Sequence, residues 1–129
     1  MVAELQRHRG LSPDELRADR TALLAVERAL QRAIQNLLDI SMHILSEANV
    51  SDWDDYRGVI VKLGEKGIVP AEFAERISGM AGTRNVLVHG YVEVAVERLL
   101  DILRDHLDDF GTFAGHIVEY LETQRKTGG

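Results

Sequence analysis

A chain of 129 residues with 45% hydrophobic and 28% charged side chains is expected to form one domain, residues 1–129. Its net charge of −6 argues against extensive wrapping of nucleic acid, because affinity for the phosphate backbone comes from many Lys and Arg contacts. The absence of cysteine excludes disulfides and thiolate chemistry. The sequence contains no apolar run long enough to cross a bilayer and no apolar signal segment at its start, so we expect a cytoplasmic protein without membrane contact.

The first half of the chain is predicted to be helical. Residues 1–10 are expected to form a short helix or a loose N-terminal arm. The start signal is Ser12-Pro13-Asp14-Glu15, in which Ser12 and Glu15 can form a capping box around a proline at the first helical position. Apolar residues then recur at every seventh position, which predicts one long helix, or two stacked end to end, over residues 14–48. The repeat comprises Leu16, Leu23, Leu30, Leu37 and Ile44.

A shorter helical pattern follows a polar connection. It covers residues 56–66, is expected to bury Val59, Ile60 and Leu63, and is predicted to end at Gly67. The pattern therefore adds one short helix to the bundle.

The next helix is expected to start at Pro70 and to run to a stop at Gly90. Gly79 and Gly82 lie within it, and each costs about 1 kcal/mol of helix propensity relative to alanine. We expect the close approach of another backbone to compensate this cost.

The last helical pattern extends from Val92 to Leu121, with a bend near Gly111 or Gly115 and a frayed tail over residues 123–129. The aspartates between Asp101 and Asp109 are scattered by helical spacing, which favours a solvated face over a metal site. His106 and His116 are expected to be surface or hydrogen-bonded groups. The whole pattern predicts an all-α, up-and-down bundle of four to five helices.

Polar chemistry concentrates in residues 83–91, which include Arg84, Asn85, His89 and Tyr91. Taken singly, the arginine could be ion-paired, the histidine could cap a helix and the tyrosine could be buried. Together they suit metal-free RNA cleavage, because a histidine can take the proton of a ribose 2′-hydroxyl and an arginine can stabilise the phosphorane. Cleavage needs both a base and an acid, so one such histidine per chain predicts a homodimer that completes the site.

A second polar pair, Asp39 and His43, lies four residues apart on one helical face. The pair could be a carboxylate that orients an imidazole or one half of a metal site. Without a third ligand nearby in the sequence, a hydrogen-bonded pair is favoured, and no metal site is predicted.

The string Arg84-x-x-x-x-His89-x-Tyr91, with Asn85 after the arginine and the earlier run 38–44, resembles the HepT-like ribonuclease toxins of the HEPN superfamily. The resemblance covers about residues 12–121. It implies a homodimeric HEPN-type bundle that cleaves RNA, foremost tRNA, as an endoribonuclease without metal or other cofactor. Carried over by position, Arg84 and His89 are catalytic and Asn85 supports them, while Asp39 and His43 line the cleft.

The resemblance also implies a partner and a switch. HepT-like proteins are the toxins of type VII-like toxin–antitoxin modules, and the antitoxin is a minimal nucleotidyltransferase, MntA-like, that transfers AMP to the tyrosine at the position of Tyr91. Bulk and phosphate charge beside His89 would oppose the binding of an RNA phosphate. An alternative is a non-catalytic protein that binds nucleotide or presents a substrate to a nucleotidyltransferase.

Overall fold

The computed structural model describes Gly10 and residues 12–82, 100–102 and 104–128. These residues form five helices and no strands, so the predicted all-α fold is confirmed for this part of the chain. In chain order the helices are α1 (Pro13–Ala18), α2 (Arg20–Glu47), α3 (Tyr56–Glu65), α4 (Ala71–Ile77) and α5 (Leu107–Gly128). Residues 1–9, which carry most of the predicted N-terminal arm, lie outside the described residues.

Two successive caps separate α1 from α2. The hydroxyl of Ser12 accepts a hydrogen bond from the Glu15 amide, and the Glu15 carboxylate accepts one from the Ser12 amide, which confirms the predicted capping box. Asp19 then leaves helical geometry, and its carboxylate accepts a hydrogen bond of 3.0 Å from the amide of Ala22. The chain therefore forms two consecutive helices between residues 13 and 47.

The predicted seven-residue repeat lies on the buried face of α2. Leu23, Leu30, Leu37 and Ile44 are all buried, together with other apolar residues one turn away. Ser41 is also buried, and its hydroxyl donates a hydrogen bond of 2.7 Å to the carbonyl of Leu37. The helix ends where Asn49 adopts a φ of 60°, a left-handed conformation that asparagine tolerates.

Helices α3 and α4 pack closely against each other. The predicted core residues of α3, Val59, Ile60 and Leu63, are fully buried, and Gly67 ends the helix with a φ of 71° as expected. A Cβ placed on Gly64 would lie 2.8 Å from the Cβ of Ala74 on α4. The absent side chain of Gly64 therefore permits the close approach of these two helices.

The helix predicted from Pro70 to Gly90 is interrupted after Ile77, and its predicted end at Gly90 lies outside the described residues. Pro70 is the N-cap rather than the first helical residue, and α4 ends at Ile77. The hydroxyl of Ser78 donates to the carbonyl of Glu75 at 2.8 Å, and Gly79 follows, so a hydroxyl that competes for backbone groups stands next to a poor helix former. Helical geometry resumes at Met80 and holds to Gly82, where the described residues stop.

The described part of the C-terminal helix has its irregularity at His106, whose carbonyl accepts a hydrogen bond from the amide of Asp109. From Leu107 onward α5 is continuous through Gly111 and Gly115, where the bend is predicted. The helix extends to Gly128 and so includes residues 123–128, whose fraying stays a prediction. Among the described residues, no helix combines the length and the apolarity needed to span a membrane.

Candidate functional site

The predicted catalytic string is bounded by two short anchored pieces of chain. Arg84, Asn85, His89 and Tyr91 themselves lie outside the described residues, which stop at Gly82 and resume at residue 100. Apolar residues just before and just after the undescribed segment are buried in the hydrophobic core. They are Met80, Ala81, Leu100 and Ile102. The core therefore holds the chain immediately before and after residues 83–99.

An ion-pair network joins the elements on the two sides of that segment. The Nε of Arg76, on α4, donates to both carboxylate oxygens of Asp109, on α5, at 3.1 and 3.0 Å. The guanidinium also donates to the carbonyl of Asp105 at 2.7 Å, and the Nδ1 of His106 lies 2.9 Å from the Asp109 carboxylate. His106 is thus a hydrogen-bonded group, as predicted, and the network ties α4 directly to the first turn of α5.

Asp109 departs from the expectation of a solvated acidic face. It is 7% exposed, whereas the neighbouring Asp101, Asp105 and Asp108 are exposed. A buried carboxylate needs charged or hydrogen-bonding partners to offset its lost hydration, and Arg76 and His106 supply them. Within the described part of the chain, no three His, Asp or Glu side chains converge as a metal site.

Asp39 and His43 both lie on the exposed side of α2. The predicted hydrogen bond between them is wrong, because each side chain has a different partner. Asp39 accepts a hydrogen bond of 2.8 Å from the side-chain Nε2 of Gln35, and the Nε2 of His43 lies 4.0 Å from the carboxylate of Glu47. Their exposure leaves both side chains accessible to a ligand or a partner protein.

A surface groove of about 620 Å³, the Trp53 groove, opens beside the last described residue before the catalytic string. One wall is formed by residues 53–57, which lead into α3. The opposite wall is formed by Ser78, Gly79, Ala81 and Gly82. Gly82 directly precedes Thr83 and Arg84 in the sequence, so the groove adjoins the start of the predicted catalytic segment.

The wall that contains Trp53 is fixed by two acidic residues. The carboxylate of Asp55 caps α3 by accepting a hydrogen bond of 2.8 Å from the amide of Gly58. Asp52 forms an ion pair with Lys62 at 3.0 Å, and Lys62 also contacts Glu65 at 3.2 Å. The hydrogen bond with Lys62 lowers the pKa of Asp52, and the same bond, with a second to Glu65, raises the pKa of Lys62.

Sequence reasoning missed the Trp53 groove and the link between Arg76 and Asp109. The partners in that ion pair are 33 positions apart, and no local pattern indicates such a pairing. One feature of the sequence did indicate the groove. Gly79 and Gly82 lie in a helical sequence pattern although glycine has a low helix propensity. No described backbone approaches either glycine, because a Cβ on either would meet no described atom within 4 Å, and the close approach of a backbone outside the described residues stays a prediction.

A solved structure entitled "Crystal structure of the toxin-antitoxin with AMP-PNP" superposes on 92% of this chain and 89% of its own, with a TM-score of 0.81 and 23% sequence identity, and so shares the fold. A family model described as "Ribonuclease HepT-like" matches residues 1–117. The chain belongs to the HepT-like ribonuclease family, whose members are ribonucleases of the HEPN type, and the resemblance carried by the motif is confirmed.

Two characterised relatives carry nuclease names. The mRNA nuclease HepT of Shewanella oneidensis is 26% identical over 84 residues, which span 65% of this chain and 63% of that protein. The tRNA nuclease HepT of Aphanizomenon flos-aquae is 28% identical over 119 residues, which span 92% of this chain and 81% of that protein. The two names agree on RNA cleavage and differ in the kind of RNA.

Proposed function

We propose that this protein is the toxin of a type VII-like toxin–antitoxin module, an endoribonuclease that cleaves tRNA without a metal ion. The observation that carries the proposal is the family match over residues 1–117, because this range includes the complete string from Arg84 to Tyr91. The relative matched over most of its length is named a tRNA nuclease, which supports tRNA as the substrate.

The proposed chemistry uses two side chains of each protomer. His89 takes the proton of the ribose 2′-hydroxyl, the 2′-oxygen attacks the adjacent phosphorus, and the 5′-oxygen of the next nucleotide leaves with a proton. Arg84 stabilises the negative charge that builds on the phosphorane oxygens, and Asn85 holds Arg84 or the phosphate in place. His89 of a second copy supplies the departing proton, so the active form is a homodimer.

The proposed control is covalent. A minimal nucleotidyltransferase of the MntA-like class transfers AMP to the hydroxyl of Tyr91 and releases pyrophosphate from ATP. The added phosphate places negative charge two residues from His89, where it repels the RNA phosphate. The solved structure with the same fold is entitled a toxin–antitoxin with AMP-PNP, which is compatible with an ATP-using partner.

Cleavage of purified tRNA and mRNA in EDTA tests the catalytic proposal. We expect Arg84→Ala and His89→Ala each to lower the cleavage rate by at least a hundredfold while the helical circular dichroism signal stays unchanged. Arg32→Ala removes an exposed arginine of α2 and serves as the matched control with full activity. Cleavage that survives in both motif variants, or that stops when EDTA is added, would contradict the mechanism.

Intact mass spectrometry tests the control. Protein produced together with the genes beside its own should gain the mass of one or more AMP groups at Tyr91, and only the unmodified form should cleave RNA. A protein that binds nucleotide, remains unmodified and leaves every RNA intact would instead be the non-catalytic partner of a nucleotidyltransferase.

A further inference from the structure

Two glycines line one wall of the Trp53 groove. Gly79 and Gly82 are exposed, and a Cβ on either would meet no described atom within 4 Å. Neither glycine has a positive φ, so neither is needed for the backbone conformation. Gly82 lies in helical geometry, where glycine costs about 1 kcal/mol relative to alanine, and Gly79 lies in the turn after α4. The wall carries no side chain at these two positions, which leaves the groove open on this side.

The opposite wall of the groove carries two aromatic side chains on an ordered backbone. Trp53 and Tyr56 are each half-buried and pack against the hydrophobic cluster with one part while another part lines the groove. The cap at Asp55 and the ion pair of Asp52 with Lys62 fix the backbone that carries them. Stacking of a base on an aromatic side chain contributes about 1 to 3 kcal/mol, and a platform that is already ordered loses little entropy on binding.

A cation lies beside the aromatic surface. Arg57 is exposed, lines the groove and has no ion-pair partner among the described residues. Its planar guanidinium can hold a phosphate through two parallel hydrogen bonds. The carboxylate of Asp55, which also lines the groove, is engaged as the cap of α3, and that of Asp52 is paired with Lys62, so neither forms an ion pair with Arg57. Asp54 remains as a carboxylate that can accept hydrogen bonds from base N–H groups.

We propose that the Trp53 groove binds one nucleotide of the single-stranded RNA substrate, with the base stacked on Trp53 and Tyr56 and the phosphate held by Arg57. This inference rests on the proposed ribonuclease function and names the substrate subsite next to the catalytic segment. The chemistry recognised is that of a nucleoside monophosphate unit, which an RNA chain and free ATP share. Because Gly82 is two residues from Arg84, a nucleotide in the groove adjoins the position expected for the scissile phosphate.

The chain contains one tryptophan, so its fluorescence reports on this groove directly. The probe is a single-stranded 2′-O-methyl hexaribonucleotide, which cannot be cleaved because it lacks the attacking hydroxyl. We expect it to quench the fluorescence of Trp53 saturably. Gly79→Leu, which adds a side chain to the wall of the groove where a Cβ meets no described atom within 4 Å, should weaken this binding at least tenfold, and Gly115→Leu adds the same bulk to exposed α5 as a control without effect.

Arg57→Ala should weaken binding and make the plot of log affinity against log salt concentration shallower by about 0.7, as expected for one lost phosphate contact on a single strand. Arg28→Ala, which removes an exposed arginine of α2, should leave the slope unchanged. In RNA cleavage, Gly79→Leu should raise KM at least tenfold and leave kcat within about twofold.

The outcomes separate this proposal from the proposed function. If the wild type cleaves RNA but the hexamer does not quench Trp53, or if Gly79→Leu retains the wild-type KM, the subsite is overturned and the ribonuclease stands. If the hexamer binds as expected but no RNA is cleaved, the subsite stands and the ribonuclease falls. Tighter quenching by ATP than by the hexamer would overturn RNA as the occupant.

Discussion

The Nε of Arg76 donates to both carboxylate oxygens of Asp109, and this contact joins α4 to α5 across 33 positions of sequence. The two residues stand on opposite sides of residues 83–99, which carry the predicted catalytic string. Asp109 is buried while the side chain of Arg76 is 49% exposed, so the contact is shielded from solvent on the carboxylate side only. The ion pair of Arg76 and Asp109 therefore connects α4, before the catalytic segment, to α5, after it.

Asp109→Asn should destabilise the protein. The amide retains the size of the side chain but loses the charge that Arg76 and His106 contact, and we expect a loss of about 1 to 3 kcal/mol in the free energy of unfolding. Urea denaturation followed by circular dichroism measures the change. Asp101→Asn, the same substitution at an exposed aspartate, is the control. Equal midpoints for the two variants would show that the pairing does not stabilise the fold.

Gly64→Ala should also destabilise, although alanine is the better helix former. The new Cβ would lie 2.8 Å from the Cβ of Ala74, and relief of that overlap requires α3 and α4 to move apart. Overpacking of this kind costs about 1 to 3 kcal/mol, more than the roughly 1 kcal/mol gained in helix propensity. Thermal unfolding should show a lower Tm.

Two further variants make the packing explanation specific. Gly111→Ala, at an exposed position where a Cβ meets nothing described within 4 Å, should raise the Tm. The double variant Gly64→Ala with Ala74→Gly should recover part of the lost stability, because it moves the methyl group to the other helix. A double variant less stable than Gly64→Ala would rule out the overlap as the cause.

The pair of Asp52 and Lys62 should stabilise the protein in a defined pH window. The pKa of Asp52 is lowered from 3.8, so its contribution is fully present well above pH 3.8 and is lost as the pH falls through the lowered value. The pKa of Lys62 is raised from 10.5, so its contribution is present below pH 10.5 and is lost as the pH rises through the raised value. Neutral pH therefore lies inside the window.

Asp52→Asn tests this window through urea midpoints at pH 7 and pH 3. The variant should be less stable than the wild type at pH 7, and the difference should shrink at pH 3 and in 1 M salt. Asp54→Asn, which changes a neighbouring exposed carboxylate outside the ion pair with Lys62, is the matched control at pH 7. A difference between Asp52→Asn and the wild type that is the same at both pH values would contradict the assignment.

Asp19→Ala should loosen the junction between α1 and α2. The substitution removes the acceptor for the amide of Ala22, and loss of an N-cap costs about 1 kcal/mol. Asp19→Ser retains an oxygen that can accept the same hydrogen bond and should restore most of the stability. Urea denaturation midpoints of Asp19→Ala and Asp19→Ser measure the effect. Identical midpoints for the two variants would mean that the cap does not stabilise the protein.

The parts of the fold that were predicted correctly are those that depend on neighbours in the sequence. The capping box of Ser12, the buried stripe of α2 and the end of α3 at Gly67 each need only a few adjacent residues to specify them. The stop of α4 at Ile77 was missed because the Ser78 hydroxyl and Gly79 act together, whereas the apolar pattern continues through them. The pairing of Arg76 with Asp109 could not be predicted, because only the packing of α4 against α5 brings them together.

The candidate site likewise has a part that the sequence predicts and a part that only the structure reveals. The catalytic string was recognised from its spacing, and its family membership followed from the match to residues 1–117. The Asp39 to His43 pairing was wrong because helical spacing allows each side chain a second neighbour, Gln35 or Glu47, on the adjacent turn. The Trp53 groove needs two segments far apart in the sequence, so only the structure reveals it.

The burial of Ala81 and Leu100 couples the stability of the bundle to its chemistry. Because the same core holds the chain before residue 83 and after residue 99, a substitution that loosens this core also loosens both points at which the catalytic segment is attached. Activity and stability should therefore fall together for substitutions at these two buried positions.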